Sequence, residues 1–328
     1  MTFRFLSCVA LAAMAMLGGC ASAPRAPAAT LAEAGIKATG SMGAEVRRME
    51  SELGSVAVGN AFTATLGQCA NERLTCKEIV EPDEIADERG QLARTVAMRA
   101  KAIDALGAAY TALQTEAAYD QGADLSAAAG QAIAAAEDFA AEAARLSDRG
   151  PPPAVPARVA SLADFGFSLL GEQLQRKRIL AASRRIASAT LLIRNGMVAE
   201  AGAFASLNKY LVDERVTARM ALVKVGSLQQ DAVLKQISDR LNLSLTPPAN
   251  ASPAAYQMAL LASMRALADQ EVADVNSRYQ AGIAALGALL QSHSELEKGR
   301  ALSIGNVERV LTRLDAALEQ TDPPPPGQ

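Results

Sequence analysis

The chain has 328 residues, half of them apolar but only 4% aromatic, with no tryptophan. That length supports one or two domains with a sizeable core. A formal charge of −3, from 32 basic and 35 acidic side chains, excludes the strongly basic balance of a nucleic-acid binder.

Residues 1–19 have the three parts of a secretory signal peptide. Arg4 and the α-amino group make a short positive region, Phe5 to Leu17 an apolar one, and Gly18 and Gly19 provide small side chains at the cut. The apolar run, about 13 residues, is shorter than the roughly 20 that cross a bilayer. Leu17-Gly18-Gly19-Cys20 resembles the lipobox of bacterial lipoproteins. That resemblance covers only the signal region. It implies cleavage before Cys20, a diacylglyceryl (palmitate-type) modification of its thiol, and acylation of the new amino group. Two or more acyl chains anchor stably where one is marginal. Ala21 rather than Asp follows the cysteine, which in this class favours the outer membrane, facing the periplasm. "ASAPRAPAA" then reads as a flexible tether, assigned to residues 20–43 because Gly35, Gly40 and Gly43 weaken the helix that Thr30 and Glu33 would open as a capping box.

A helical bundle domain is expected over 44–320. Its composition is alanine-rich and its apolar spacing is helical, without the alternating Val/Ile/Thr runs of a sheet. From about Ala44 to Leu66, Val46, Met49, Leu53 and Val56 recur at steps of three and four. Cys69 and Cys76 in "CANERLTC" read as a disulfide in an oxidising compartment, closing a short loop for roughly 2–3 kcal/mol; free thiols and half of a metal site are the rival readings. Pro82, Asp83 and Glu84 form a good helix start. Leu92, Val96, Ile103, Leu106, Tyr110, Leu113 and Ala117 then trace a coiled-coil-type seam, interrupted only by Arg99.

"DQGADLS" at 120–126 breaks that helix, and an alanine-rich one follows to about Ser147, where "DRGPPPAVP" ends it. Helix is next expected from about Ala157 to Val225, with a possible break at Asn195-Gly196. Gly226 is a stop, and Ser227 with Gln230 reads as a new capping box. Ser252 and Pro253 are the N-cap and first residue of a helix whose seam (Val272, Val275, Tyr279, Leu286, Leu289) runs towards Gly299. Val307, Val310, Leu314 and Leu318 mark a last amphipathic segment, before the Pro-rich disordered tail, 321–328. The fold class that follows is all-α: an elongated antiparallel helical bundle with coiled-coil-like seams. A compact globule of shorter helices is the alternative.

Candidate chemistry is sparse. His293, the only histidine, falls one heptad after Leu286 and on the seam of Tyr279, so it should face the bundle rather than serve as a base. Neither a Gly-x-Ser-x-Gly elbow nor a Glu-x-x-His pair accompanies it. Ser206 and Lys209 match Ser-x-x-Lys without its companion motifs. The adjacent acids Glu137-Asp138 and Asp83-Glu84 diverge by about 100° on a helix and suit capping or solvated faces. Arg176, Lys177, Arg178, Arg184 and Arg185 share one arc of a helix whose opposite arc carries Ile179, Leu180, Ile186 and Ala187. That basic face could contact an anionic surface, or pair with acids of a neighbouring helix. No catalytic residue, metal or cofactor is predicted. The expected role is non-enzymatic binding, scaffolding or spacing by a lipid-anchored envelope protein with a protein partner. Membrane or cell-wall association through the basic helix is one alternative, and an enzyme without a linear motif another.

Overall fold

The computed structural model describes residues 25–71, 83–118, 122–146, 171–226, 229–247 and 252–300, with positions 250, 302, 305, 309 and 312. Among these residues there are six helices and no strand: α1 (Arg25–Asn71), α2 (Asp83–Ala118), α3 (Gly122–Leu146), α4 (Gly171–Lys224), α5 (Gln230–Leu241) and α6 (Pro253–Glu297). The signal region, Cys20, Cys76, the seam residues Val307, Val310, Leu314 and Leu318, and the tail 321–328 lie outside the described residues.

The chain is an all-α bundle. Its longest member, α4, has 54 residues, about 80 Å at 1.5 Å per residue. Gly35 faces Tyr110 and Arg47 faces Asp104, so α1 and α2 are antiparallel. Ser183 opposite His293 and Met197 opposite Tyr279 make α4 and α6 antiparallel as well. The pair α3 and α4 runs the other way, in parallel: Ser126 meets Arg185 and Phe139 meets Gly196. Helix α3 is about 37 Å long, a distance that the intervening residues 147–170 have length enough to return across.

The heptad-like seams become the core. Val46, Met49, Leu53 and Val56 of α1 are buried, as are Val96, Ile103, Leu106, Tyr110, Leu113 and Ala117 of α2, and Val275, Tyr279, Leu286 and Leu289 of α6. Alanines fill the gaps between them: Ala102, Ala109, Ala129, Ala132, Ala136 and Ala189 are shut off from solvent. A second, smaller core joins α5 to the end of α4 and the start of α6 through Val223, Val233, Leu234, Ile237, Leu260 and Met264.

Three expectations are corrected. Residues 25–43 are not a tether: α1 starts at Arg25, and Ala28, Leu31, Ala32, Ala38 and Met42 are buried. The bundle therefore begins at residue 25 rather than 44. The glycines read as helix weakeners include a close-approach site, since a Cβ on Gly35 would lie 2.3 Å from the Tyr110 ring. Asn195-Gly196 is no break either. α4 runs straight through it, and Gly196 lets Phe139 of α3 come within 2.8 Å of where a Cβ would stand. In both cases packing against a neighbour offsets the glycine's intrinsic cost in a helix. Finally, α5 starts at Gln230 from an uncapped Gln229, not from a capping box at Ser227. Gly226 does stop α4, with φ +77°. Ser252 caps α6 as read, its Oγ accepting from the Ala255 N–H at 3.2 Å with Pro253 in the first turn.

The glycine argument gives a paired prediction. Gly35→Ala must displace a Tyr110 ring that is fully buried and tethered through its hydroxyl, so it should lose about 1–3 kcal/mol to overpacking. Gly40→Ala, on an exposed position with nothing within 4 Å of the added Cβ, should gain roughly 0.5–1 kcal/mol. Urea denaturation of the two variants checks both signs.

Candidate functional site

The most unusual chemistry is a set of charges sealed inside the bundle. Arg99, the lone interruption of the α2 seam, is 3% exposed and its Nη2 lies 2.6 Å from Oε1 of Glu200 on α4, itself 1% exposed. Tyr279 of α6 puts its hydroxyl 2.9 Å from the same oxygen and 2.7 Å from the Met197 carbonyl. The Arg99 guanidinium also stands over two stacked rings, 5.1 Å from the centre of Phe204 and 5.3 Å from that of Tyr279. Burial by itself would lower the Arg99 pKa, but the Glu200 carboxylate, Tyr279 and Glu45 together outweigh it and raise it. Burial, reinforced by the Glu200 charge, pushes the Tyr279 phenol up, so it remains a donor.

A second ion pair borders the first. Arg278 Nε of α6 lies 3.2 Å from Oε2 of Glu45 on α1. A small cavity of about 20 Å³ is lined by residues of both pairs, Glu45, Arg99 and Arg278, together with Tyr279, Met42 and Phe204. From Glu45 the charges continue towards the surface. Arg48 meets Glu45 and Glu52 at 2.6 Å each, and Arg215 of α4 meets Glu271 of α6, with Glu52 at 3.7 Å. The ladder thus ties α1, α2, α4 and α6 at one register. Two arginines and two glutamates at its buried end balance, and the desolvation cost of such pairs offsets most of what their attraction adds to stability.

His293 sits in a separate polar core. Its Nδ1 is 2.8 Å from Ser183 Oγ and its Nε2 is 3.0 Å from the Tyr110 hydroxyl, which is 3.4 Å from Thr190 Oγ1. Thr190 donates to the Ile186 carbonyl at 2.8 Å. Its oxygen therefore accepts from Tyr110, the Tyr110 oxygen accepts from Nε2–H, and Nδ1 accepts from Ser183. One chain of four donors uses every proton and places the imidazole proton on Nε2. Burial lowers the His293 pKa to about 3 and raises that of Tyr110. Both imidazole nitrogens face hydroxyls, so this histidine has no carboxylate to orient it as a triad base. Ser183 and His293, 0% and 1% exposed, are closed to a substrate.

The other predicted positions are dispersed. Arg176, Lys177, Arg178 and Arg184 are exposed and Arg185 is half-buried, while Ile179 and Ile186 of the opposite arc are fully buried, as the wheel requires. Three of the five reach neighbouring helices. Arg184 is 3.4 Å from Glu297, Arg185 donates to Ser126 Oγ at 2.9 Å, and Arg178 lies 4.0 Å from the buried Glu116. Ser206 and Lys209 lie on the outer surface of α4, and Lys209 pairs with Asp213 at 2.7 Å. That hydrogen bond raises the lysine pKa, the wrong direction for a general base. Glu137 and Asp138 are exposed, Asp138 lying 3.7 Å from Lys101. Cys69 is disulfide-bonded; its expected partner Cys76, like Cys20, is outside the described residues. Among the described residues no cluster of His, Cys, Asp and Glu could hold a metal ion, and no helix is long and apolar enough to cross a membrane.

No protein family, curated protein or solved structure matches the chain. Of the buried groups, only His293 and Arg99 carried a signal in the sequence, as polar residues on apolar seams. Glu45, Glu200, Ser183 and Arg278 carried none.

Proposed function

We propose that this protein is a lipid-anchored component of a bacterial cell envelope. In this reading it is held at the outer membrane facing the periplasm and acts by binding or spacing rather than by catalysis. The observation that carries the reading is Leu17-Gly18-Gly19-Cys20 at the end of an apolar leader, with a helix beginning five residues later at Arg25. Five residues reach at most about 18 Å, so the lipidated cysteine holds the foot of a bundle about 80 Å tall rather than a loosely tethered domain. Charged residues inside that bundle serve alignment of the helices, which suits a post better than a reaction centre.

The opposite end offers contact area for a protein partner. On the α5–α6 hairpin Leu241, Leu243, Leu245 and Met258 are all exposed, Met258 by 64%, which supplies apolar surface for a partner to cover.

Cys20→Ser tests the anchoring. The wild-type protein should fractionate with membranes, incorporate radiolabelled palmitate and start at residue 20. The variant should be released or remain as an uncleaved precursor. Unlabelled wild-type protein, or a mature chain that starts elsewhere, would refute the anchoring.

A further inference from the structure

The helix pairings place the basic arc of α4 along the bundle axis. Glu116, near the end of α2, meets Gln175 and Arg178, the Gln175 amide donating to the Glu116 carbonyl at 2.6 Å. Tyr110 meets Gly35 on one side and Thr190 and His293 on the other. Counting back at 1.5 Å per residue, Arg25 lies about 15 Å below Gly35, and Arg176 about 21 Å below Thr190. Arg25 and Arg176 are therefore level to within about one helical turn, and the first residue of α4 lies roughly 13 Å below Arg25. Lys298 and Arg300, just beyond the end of α6, lie near the same end, because Glu297 meets Arg184. The α5–α6 hairpin is at the other.

From this geometry we infer that the foot of the bundle is a docking surface for anionic lipid headgroups, with Arg176 and Lys177 as its principal contacts. Arg25 adds to it from α1. The inference rests on the lipid-anchor reading, which brings Cys20 and its acyl chains to this same end. Three features favour a lipid surface as the occupant. Arg176 and Lys177 are exposed in the second turn of α4. Their charge is opposite to that of the chain as a whole, −3. The chain between Cys20 and Arg25 is too short to let this end leave the membrane. Acids are present as well: Glu33 and Asp124 are exposed, and Glu297 is occupied by Arg184. Arg184 and Arg185 brace α6 and α3 and are left out of the contact.

The consequence is orientation. Each basic residue near an anionic surface multiplies affinity by about five, and the attraction acts within a Debye length of about 8 Å at physiological ionic strength. On an anionic surface the foot closes onto the headgroups. On a neutral one the connection lets Arg25 stand up to about 18 Å off the surface, and the start of α4, roughly 13 Å lower by the same count, up to about 5 Å. Seating the foot directs the exposed apolar hairpin away from the membrane.

Neutron reflectometry of the full-length lipidated protein, reconstituted in supported bilayers, measures that layer. Bilayers of pure phosphatidylcholine are compared with others containing phosphatidylglycerol, and wild type with Arg176→Glu/Lys177→Glu. Circular dichroism and melting verify that the surface variant folds. The expected result is a gap that closes, by up to about 5 Å, for wild type on the anionic bilayer and is reopened by the double variant or by high salt. An equal gap on both bilayers, or one the variant leaves unchanged, overturns the docking surface while leaving the anchor intact. Protein that washes off both bilayers overturns the anchor and the orientation with it.

Discussion

Glu200→Leu is expected to lower folding stability by about 3–5 kcal/mol, the cost of leaving a buried guanidinium without its counter-charge. Arg99 has no exposed route: it is 3% accessible, stacked over Phe204 and Tyr279, and its ion pair with Glu200 is 2.6 Å long. Tyr279 would still donate to the Met197 carbonyl, so the loss falls mainly on Arg99. The decisive comparison is Arg99→Met combined with Glu200→Leu. An apolar pair of similar volume asks for no desolvation, so the double variant should recover most of the loss. Urea denaturation of the two single variants and the double one measures the coupling. Additive losses would mean that the pair is not energetically linked. Recovered stability with weaker resistance to proteolysis or a loss of sharp spectral signals would show that the pair specifies alignment of α2 against α4.

Acid pH supplies the second large effect. Burial holds His293 at about 3, against about 6.5 for an unperturbed imidazole. Below pH 6.5 the unfolded chain takes up a proton that the native state refuses, so stability falls with pH through the window from 6.5 towards 3. Above about pH 7.5 both states are neutral and this group contributes no pH dependence. The slope approaches roughly 1.4 kcal/mol per pH unit. His293→Gln keeps a donor for Tyr110 and an acceptor for Ser183 but cannot titrate. It should be less stable than wild type at pH 7.5, with the gap closing by about 2 kcal/mol between pH 7.5 and 5. Parallel stability curves for the two proteins would contradict the assignment of His293 as neutral in the folded state. Every other titratable group is common to both proteins and cancels in the difference.

Much of the fold was legible because its signal is local. A step of three or four residues puts Val46, Met49, Leu53 and Val56 on one face whatever lies opposite, and all four are buried. The stops were equally local. Gly226 takes a positive φ, and Ser252 with Pro253 caps α6 through backbone geometry spanning four residues. The candidate site was only half legible. Arg99 and His293 drew notice because a polar side chain stood on an apolar seam, while Glu200, Glu45 and Ser183 look like any other polar residue of a helix. The basic arc of α4 was plain in the sequence, but not that Arg184 and Arg185 reach Glu297 and Ser126.

By itself, the sequence determined the helical class, the seams, most helix ends, and the lipobox-like tetrad that motivates the functional proposal. All of these depend on residues within a few turns of one another. Tertiary structure alone decided the start of the bundle at Arg25, the continuity of α4 through Gly196, the parallel run of α3 beside α4, and the partners of every buried charge. Each of those depends on which helix becomes a neighbour. A glycine reads as a weak point until Tyr110 or Phe139 arrives to occupy the space that its missing side chain leaves. An arginine on a seam reads as an error until a glutamate about a hundred positions away meets it at 2.6 Å.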